Sequence, residues 1–199
     1  MTHSVTIKTV TGEALEQYIT ELARLRIEVF REYPYLYDGN MNYEAKYVRT
    51  YTESPHSIIV IAFDGDQVVG ASTALPLIHE TEEIRRPFLE NHLDLNCVFY
   101  LGESVLRNHY RGQGIGVRFF KEREAHAKRI GDFSCYAFCA VERPVDHPLR
   151  PSDYVPLDRF WKNRGYRKQS HLRTTLSWLD IDKTTETAKP MVFWLKQVM

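Results

Sequence analysis

The sequence predicts an α/β fold, a mixed sheet with helices on its faces. Three observations carry this. Runs of β-branched and apolar residues recur along the chain, separated by stretches whose apolar residues repeat every three to four positions. Between residues 97 and 141 a strand, a glycine-rich loop, a helix and a second strand follow one another, so those two strands should be parallel with a right-handed crossover. On either side, short connections should fold neighbouring strands into antiparallel hairpins.

Taken in order, Ser4 to Val10 alternates and is β-branched, a strand that Gly12 breaks. From Glu13 to Arg31 the period changes, with Leu15, Ile19, Leu22, Leu25, Val29 and Phe30 forming one apolar helical stripe. The stretch 32–55 is rich in tyrosine, and Tyr43 to Tyr51 reads as a short helix. Ile58 to Phe63 and Gln67 to Leu77 flank the turn signal Asp64-Gly65-Asp66, a hairpin. Glu80 to Leu93 is a polar helix or loop, and Cys97 to Val105 a strand with Gly102 inside it. Gly114 to Ile130 is a helix with Ile115, Phe119, Phe120, Ala127 and Ile130 turned inward, followed by a buried strand from Phe133 to Val141. A proline-rich loop (142–154), a short helix (Pro156 to Arg164) stopped by Gly165, and strands at Arg173–Ile181 and Pro190–Val198 complete the order.

The 199 residues fit one domain, 1–199, large enough to bury a core unaided. Lys+Arg and Asp+Glu are both 26, so the net charge is zero, which argues against a general nucleic-acid binder. The absence of an apolar run near the roughly 20 residues of a membrane helix argues against a membrane protein. The first residues show neither a basic nor an apolar signal region. With three cysteines, which cannot all pair within one chain, the simpler reading is a cytoplasmic protein with reduced thiols. On one strand, Cys135 and Cys139 would lie roughly 13 Å apart at about 3.3 Å per residue, as small hydrophobes. The eight histidines form no H-x3-H pair, so no metal site is expected. His109 and His126 read as surface residues.

The segment that carries chemistry is Tyr100 to Gly116. A strand runs into a loop whose glycines, at 112, 114 and 116, open a helix. Unpaired N–H groups and the positive dipole end of the first helical turn favour an anion, and bare glycines let the backbone approach a pyrophosphate. Arg111 adds a positive charge at the mouth. The same glycines could simply shape a tight turn and ease packing. A Walker A loop is excluded because no Lys-Ser/Thr follows, and the G-x-G-x-G spacing departs from the dinucleotide-binding fingerprint. The basic residues Arg118, Lys121, Arg123, Lys128 and Arg129 read as a solvated helix face, with Arg118 close enough to the loop to meet a further phosphate.

With Arg111-Gly112-Gln113-Gly114-Ile115-Gly116 opening a helix after the fourth strand, the sequence resembles the GNAT N-acetyltransferase superfamily, whose signature is Arg/Gln-x-x-Gly-x-Gly/Ala at that place. The order of elements fits over nearly the whole chain. The resemblance implies a central mixed sheet of six to seven strands, a splayed pair of parallel strands, and helices on both faces. It implies that Arg111, Gly112, Gln113, Gly114, Ile115 and Gly116 hold the pyrophosphate of acetyl-coenzyme A, and that Ser104, Val105 and Leu106 pair with its pantetheine arm. Gly102 suits the bulge that would spread the two strands.

Acetyl transfer needs a neutral amine, donors for the oxyanion, and an exit for the thiolate. Glu103 is the candidate base, or else a strand-end glutamate that faces solvent or pairs with an arginine. The backbone N–H of Val105 or Leu106 is the candidate donor to the thioester carbonyl. Many family members carry Tyr where Trp161 stands here, so Tyr154 is the substitute acid. The acceptor would meet the tyrosine-rich segment, with Tyr33, Tyr37, Asp38 and Glu44, and the long loop with Arg143, His147 and Arg150. Aromatics and acids suit a cationic amine and the arginines a carboxylate, while the tyrosines could equally be a hydrophobic lid. The leading expectation is an acetyl-CoA-dependent N-acetyltransferase acting on a small-molecule or protein amine, with a homodimer possible through the last strands. The alternatives are an acyl-CoA-binding sensor of the same fold and, more remotely, a different phosphate-ligand binder.

Overall fold

The structure, a computed structural model, describes residues 5–198. Eight strands form one sheet: β1 (Thr6–Val10), β2 (Ile58–Asp64), β3 (Gln67–Pro76), β4 (Val98–Tyr100), β5 (Ser104–Leu106), β6 (Cys135–Val141), β7 (Arg167–Trp178) and β8 (Thr187–Gln197). Ser4, the expected start of β1, lies outside the described residues. The helices are α1 (Ile19–Phe30), α2 (Met41–Glu53), α3 (Glu82–Glu90), α4 (Ile115–Ile130) and α5 (Asp158–Lys162). The strand order is β1-β2-β3-β4-β6-β8-β7, with β5 paired on β3; β4 and β6 are parallel and the other pairs antiparallel.

The apolar strands are continuous because both sheet faces are covered. In β2, Ile59 and Ile61 enter the core with Leu22 and Leu25 of α1 and Val48 and Tyr51 of α2. Their neighbours Ile58, Val60 and Ala62 enter the opposite core with Phe119, Phe120 and Ala127 of α4. Strand β6 divides likewise, Cys135, Ala137 and Cys139 to the first core and Tyr136, Phe138 and Ala140 to the second. Trp161 joins the second core, its ring 5.1 Å from those of Phe138 and Trp194.

Two elements differ from the sequence reading. Strand β7 begins at Arg167, six residues before the expected Arg173, and its register on β8 shifts between Gln169 and Arg173. The exposed polar run 167–171 hides the early start, because an edge strand there has no apolar alternation to show. The expected strand 97–105 is broken into β4 and β5. Gly102 and Glu103 both oppose Thr73 of β3: the Gly102 N–H donates to Thr73 O (3.0 Å) and the Thr73 N–H to Glu103 O (3.0 Å). Two residues facing one is a β-bulge, which bends the strand. Glycine is required here by space, since a Cβ on Gly102 would collide with Tyr51 Oη and sit 2.5 Å from Thr73 Oγ1.

Candidate active site at the broken strand

The bulge opens the sheet. Up to Leu101 the chain is held to β6, where the Leu101 N–H donates to Ala137 O at 2.7 Å. Beyond it, β5 pairs with β3 and β6 continues beside β8. Along β5 the Arg107 N–H donates to Val69 O (3.0 Å) and Glu103 O accepts from Thr73. Antiparallel bonding alternates, so residues 103, 105 and 107 address β3 while the main-chain N–H groups of Ser104 and Leu106 turn to the gap. This narrows one expectation: the Val105 N–H faces β3, and of the two candidate donors the Leu106 N–H is the one that turns to the gap.

The gap leads to the glycine loop. Gly112 and Gly114 adopt φ of 78° and 80°, the left-handed region that favours glycine. The helical ladder of α4 begins with the Val117 and Arg118 N–H groups donating to Gly114 O (3.1 and 3.2 Å), which leaves the N–H groups just before them outside it. Gly116 packs closely, since a Cβ there would lie 3.2 Å from the Phe160 ring. Ile115 is buried in the second core. Gln113 folds back on the loop, Nε2 donating to His109 O at 2.9 Å. Arg111 is half-exposed at the mouth, paired with Glu32 (2.7 Å) and donating from Nε to Leu106 O (3.1 Å).

Arg123 was expected on the solvated face and is instead buried, 1% exposed. Its guanidinium lies behind the bulge, donating to Thr73 O (3.2 Å), Glu103 O (3.3 Å), Ser104 Oγ (3.0 Å) and Phe119 O (3.2 Å). Burial pushes it down to about 10, though Tyr166 and Glu103 oppose the shift. His126, also expected at the surface, is buried with its Nε2 bonded to His56 O at 3.0 Å. Both sit on the apolar stripe of α4: Phe119, Arg123 and Ala127 are four apart. That spacing was the available signal, overridden by their polarity.

On the other face of the bulge the Glu103 side chain enters an ionic cluster. Glu103 Oε1 lies 2.5 Å from Arg26 Nη1, and Oε2 accepts from the Tyr47 hydroxyl at 3.3 Å. Arg26 Nε also bonds Glu44 Oε2, and the Arg26 Cζ stands 4.2 Å over the Tyr47 ring. Tyr47 and Tyr51 hydroxyls are 3.1 Å apart. Burial alone would lower the Arg26 guanidinium; Glu103, Tyr47 and Glu44 outweigh it and hold it well above its ordinary value. Tyr100 Oη lies 3.1 Å from Cys139 Sγ at the end of the parallel pair, and burial pushes that thiol up to about 12. Sequence reasoning missed Arg26, while Tyr47 belongs to the tyrosine-rich segment that it assigned to the acceptor side.

The remaining expected site residues lie in the tyrosine-rich loop before α2 and in the loop after β6. Tyr33 and Tyr154 rings meet edge to face at 4.6 Å, with the Arg150 Cζ 5.2 Å over Tyr154. Burial, then Tyr33, raises the Tyr154 phenol above its ordinary value. Tyr37 lies against Glu44, and burial followed by that carboxylate raises its phenol strongly. Arg143 is a correction. It was a candidate substrate contact, but it donates to Pro34 O (2.8 Å), Tyr35 O (2.7 Å) and both Asp180 oxygens (2.9 and 2.8 Å). Its fork ties the tyrosine loop to the segment after β7, so its donors are taken up within the protein. Among the described residues no group of three or more His, Cys, Asp or Glu is placed to hold a metal. No helix among them is long and apolar enough to cross a membrane. A cavity of about 350 Å³ between α3 and β7, with Arg86, Glu90 and Thr174 in its wall, shares no residue with the gap.

No family model matches the chain, and no curated protein matches it significantly. Solved structures do. An acetyltransferase of the GNAT family from Streptococcus pneumoniae is 10% identical, covering 98% of this chain and 100% of its own, at a TM-score of 0.59. A ribosomal-protein-alanine N-acetyltransferase from Brucella melitensis is 13% identical (97% and 99% covered, TM-score 0.62). NAA60 from Arabidopsis thaliana, solved in complex with acetyl-CoA, is 13% identical (98% and 99% covered, TM-score 0.62). At these identities the likeness is one of fold, and the fold is that of the GNAT acetyltransferases.

Proposed function

We propose that this chain is an N-acetyltransferase that transfers the acetyl group of acetyl-CoA to a primary amine of a small molecule or a protein. The observation that carries the reading is the open edge of β5, whose Ser104 and Leu106 main-chain groups line a gap ending at left-handed glycines of a helix-opening loop. An extended pantetheine arm suits such an edge, and a diphosphate suits the loop. The NAA60 complex supports acetyl-CoA as the ligand of this fold.

In this reading the amine attacks the thioester carbonyl from the side of the tyrosines, with the Leu106 N–H taking the developing oxyanion. Glu103 lies at the junction of the donor gap and the ionic cluster, and Tyr33 and Tyr37 flank the acceptor. Tyr154, kept protonated by burial, gives its proton to the departing thiolate. A second reading, an acyl-CoA sensor without efficient transfer, draws on Trp161. The family's usual acid position is here a packed indole.

Calorimetry tests the donor site. Wild-type protein should bind acetyl-CoA at micromolar concentration. Gly114→Asp should weaken binding at least tenfold, since it adds a negative charge at a left-handed position with open space around it. No binding by the wild type would sink the proposal. Release of free thiol over a panel of amines separates transfer from sensing.

A further inference from the structure

The buried guanidinium of Arg123 does more than the bulge needs. The bulge closes its own main-chain bonds. Thr73 O accepts the Gly102 N–H, Glu103 O accepts the Thr73 N–H, and the Glu103 N–H donates to Thr73 Oγ1 at 3.2 Å. Arg123 Nη1 adds a second donor to each of the two carbonyls. Phe119 O, which takes Nε, already stands inside the helical ladder of α4. Among the described residues Arg123 makes no ion pair, and the neighbouring carboxylates Glu103 and Glu124 are engaged by Arg26 and Lys196. Taking a guanidinium out of water is costly, and second bonds to satisfied carbonyls are a small return in stability.

What the guanidinium supplies is a span. Nη2 donates to the hydroxyl of Ser104, the first residue of the β5 edge, at 3.0 Å. Nη1 holds the bulge at Glu103 O and the neighbouring strand at Thr73 O, while Nε is anchored on α4 itself. Arg123 stands about two helical turns on from Gly116, on the helix that the glycine loop opens. One rigid helix therefore carries the glycine loop at its start and the grip on the broken strand two turns later.

Resting on the N-acetyltransferase reading, we propose that Arg123 is a positioning residue for acetyl transfer. Its planar fork fixes Ser104 and the bulge against α4, and so sets the register between the loop that takes the diphosphate and the edge that takes the thioester arm. Arg123 acts through Ser104 and the main chain and touches no reacting atom. A donor held at its diphosphate but misplaced along β5 brings the acetyl carbon to the wrong point, and an error of about 1 Å can cost about 100-fold in rate. Lysine cannot replace the fork, because one ammonium on a flexible stem keeps the charge without the fixed plane of donors.

Three measurements decide: thiol release from acetyl-CoA with spermidine, tyramine and a lysine-containing peptide, calorimetry with coenzyme A, and urea midpoints for folding. Arg123→Lys and Arg123→Met should lower kcat about 100-fold per folded molecule, with KM for the amine and affinity for coenzyme A within about threefold. Arg123→Ala should regain rate in millimolar guanidinium and not in sodium chloride of equal ionic strength. Ser104 is exposed, so Ser104→Ala tests the same contact without opening the core. It should lower kcat about tenfold in the wild type and add little in Arg123→Lys, since the two residues act as one unit. Additive losses in that pair overturn the proposal. So do Arg123 variants that turn over within about threefold of the wild type, or that lose activity only in step with the folded fraction. Each of these leaves acetyl transfer itself standing. A wild-type protein that releases no thiol with any of these amines overturns the reading beneath, and this proposal with it.

Discussion

The molecule buries two ionic clusters, and they are built to different standards. At the turn end of the β7–β8 hairpin, Asp180 receives Arg143 on both oxygens and Lys189 at 3.3 Å. Lys189 also donates to Trp178 O, Thr187 O and Thr187 Oγ1 at 2.6 to 2.7 Å, and Arg143 donates to two loop carbonyls. Every charge there has partners. Beside the bulge, Arg26 Nη1 touches Glu103 out of line for a hydrogen bond, and Glu44 Oε1, fully buried, has no hydrogen-bond partner. A buried polar group left unsatisfied costs about 1–3 kcal/mol. The complete cluster fastens the tyrosine loop to the sheet. The incomplete one keeps bonding capacity in reserve at the gap, where chemistry would use it.

Removing one member from each cluster breaks or sharpens this contrast. The largest effect is expected for Arg143→Met, which strands Asp180 with Lys189 alone and frees two carbonyls. Loss of one partner from a buried pair costs about 3–5 kcal/mol, read as a lower midpoint in urea. The acid side should change as well. Burial pushes the Asp180 carboxyl up, and Arg143 and Lys189 more than reverse this, so its net position is below the ordinary value. Its contribution to stability is therefore present above about pH 4 and lost as pH falls through the lowered value. Without Arg143 that contribution shrinks, and the acid-induced loss of stability at and below about pH 4 becomes shallower. A variant as stable as the wild type would show that the complete cluster is not what fastens the loop.

How much of this was legible beforehand differs by region. The parallel pair, the hairpins and the glycine loop could be read because each depends on local pattern: apolar runs, Asp64-Gly65-Asp66, and glycines before a helix. Gly102 was legible as a bulge, though not the reason for it, which is the approach of Tyr51 from α2. Arg26 lies one turn on from Leu22, and Glu44 one turn before Val48, so both occupy core-facing positions of their helices, where a charged residue type argues for the surface. The meeting of Arg26 with Glu44 and Glu103 carried no signal, because it joins α1, α2 and the bulge, which only the folded chain brings together.

A middle-sized effect is expected where the incomplete cluster is disturbed from below without changing its charge. Gly102→Ala places a methyl group against Tyr51 Oη and Thr73 Oγ1, and relief requires the bulge or α2 to shift. Overpacking of this kind costs about 1–3 kcal/mol. Because Tyr51 touches Tyr47 and Tyr47 touches Glu103, the displacement should reach the cluster and the β5 edge together. Acetyl-CoA affinity should fall in proportion to the lost stability. Affinity unchanged in a destabilised variant would show that the β5 edge is not the donor site.

The smallest effect on stability, and the sharpest on the comparison, is expected for Glu44→Gln. The amide oxygen can keep the bond to Arg26 Nε, so the loss is one of charge rather than of packing, about 1 kcal/mol. Arg26 then answers to Glu103 alone, which draws that carboxylate more firmly into the pair and removes a negative charge from beside Tyr37. If the cluster exists to hold a cationic amine near the gap, KM for the amine should rise about tenfold while acetyl-CoA binding stays level. An equal rise for both substrates would mean that Glu44 supports the frame as Asp180 does, and the two clusters would differ in completeness without differing in purpose.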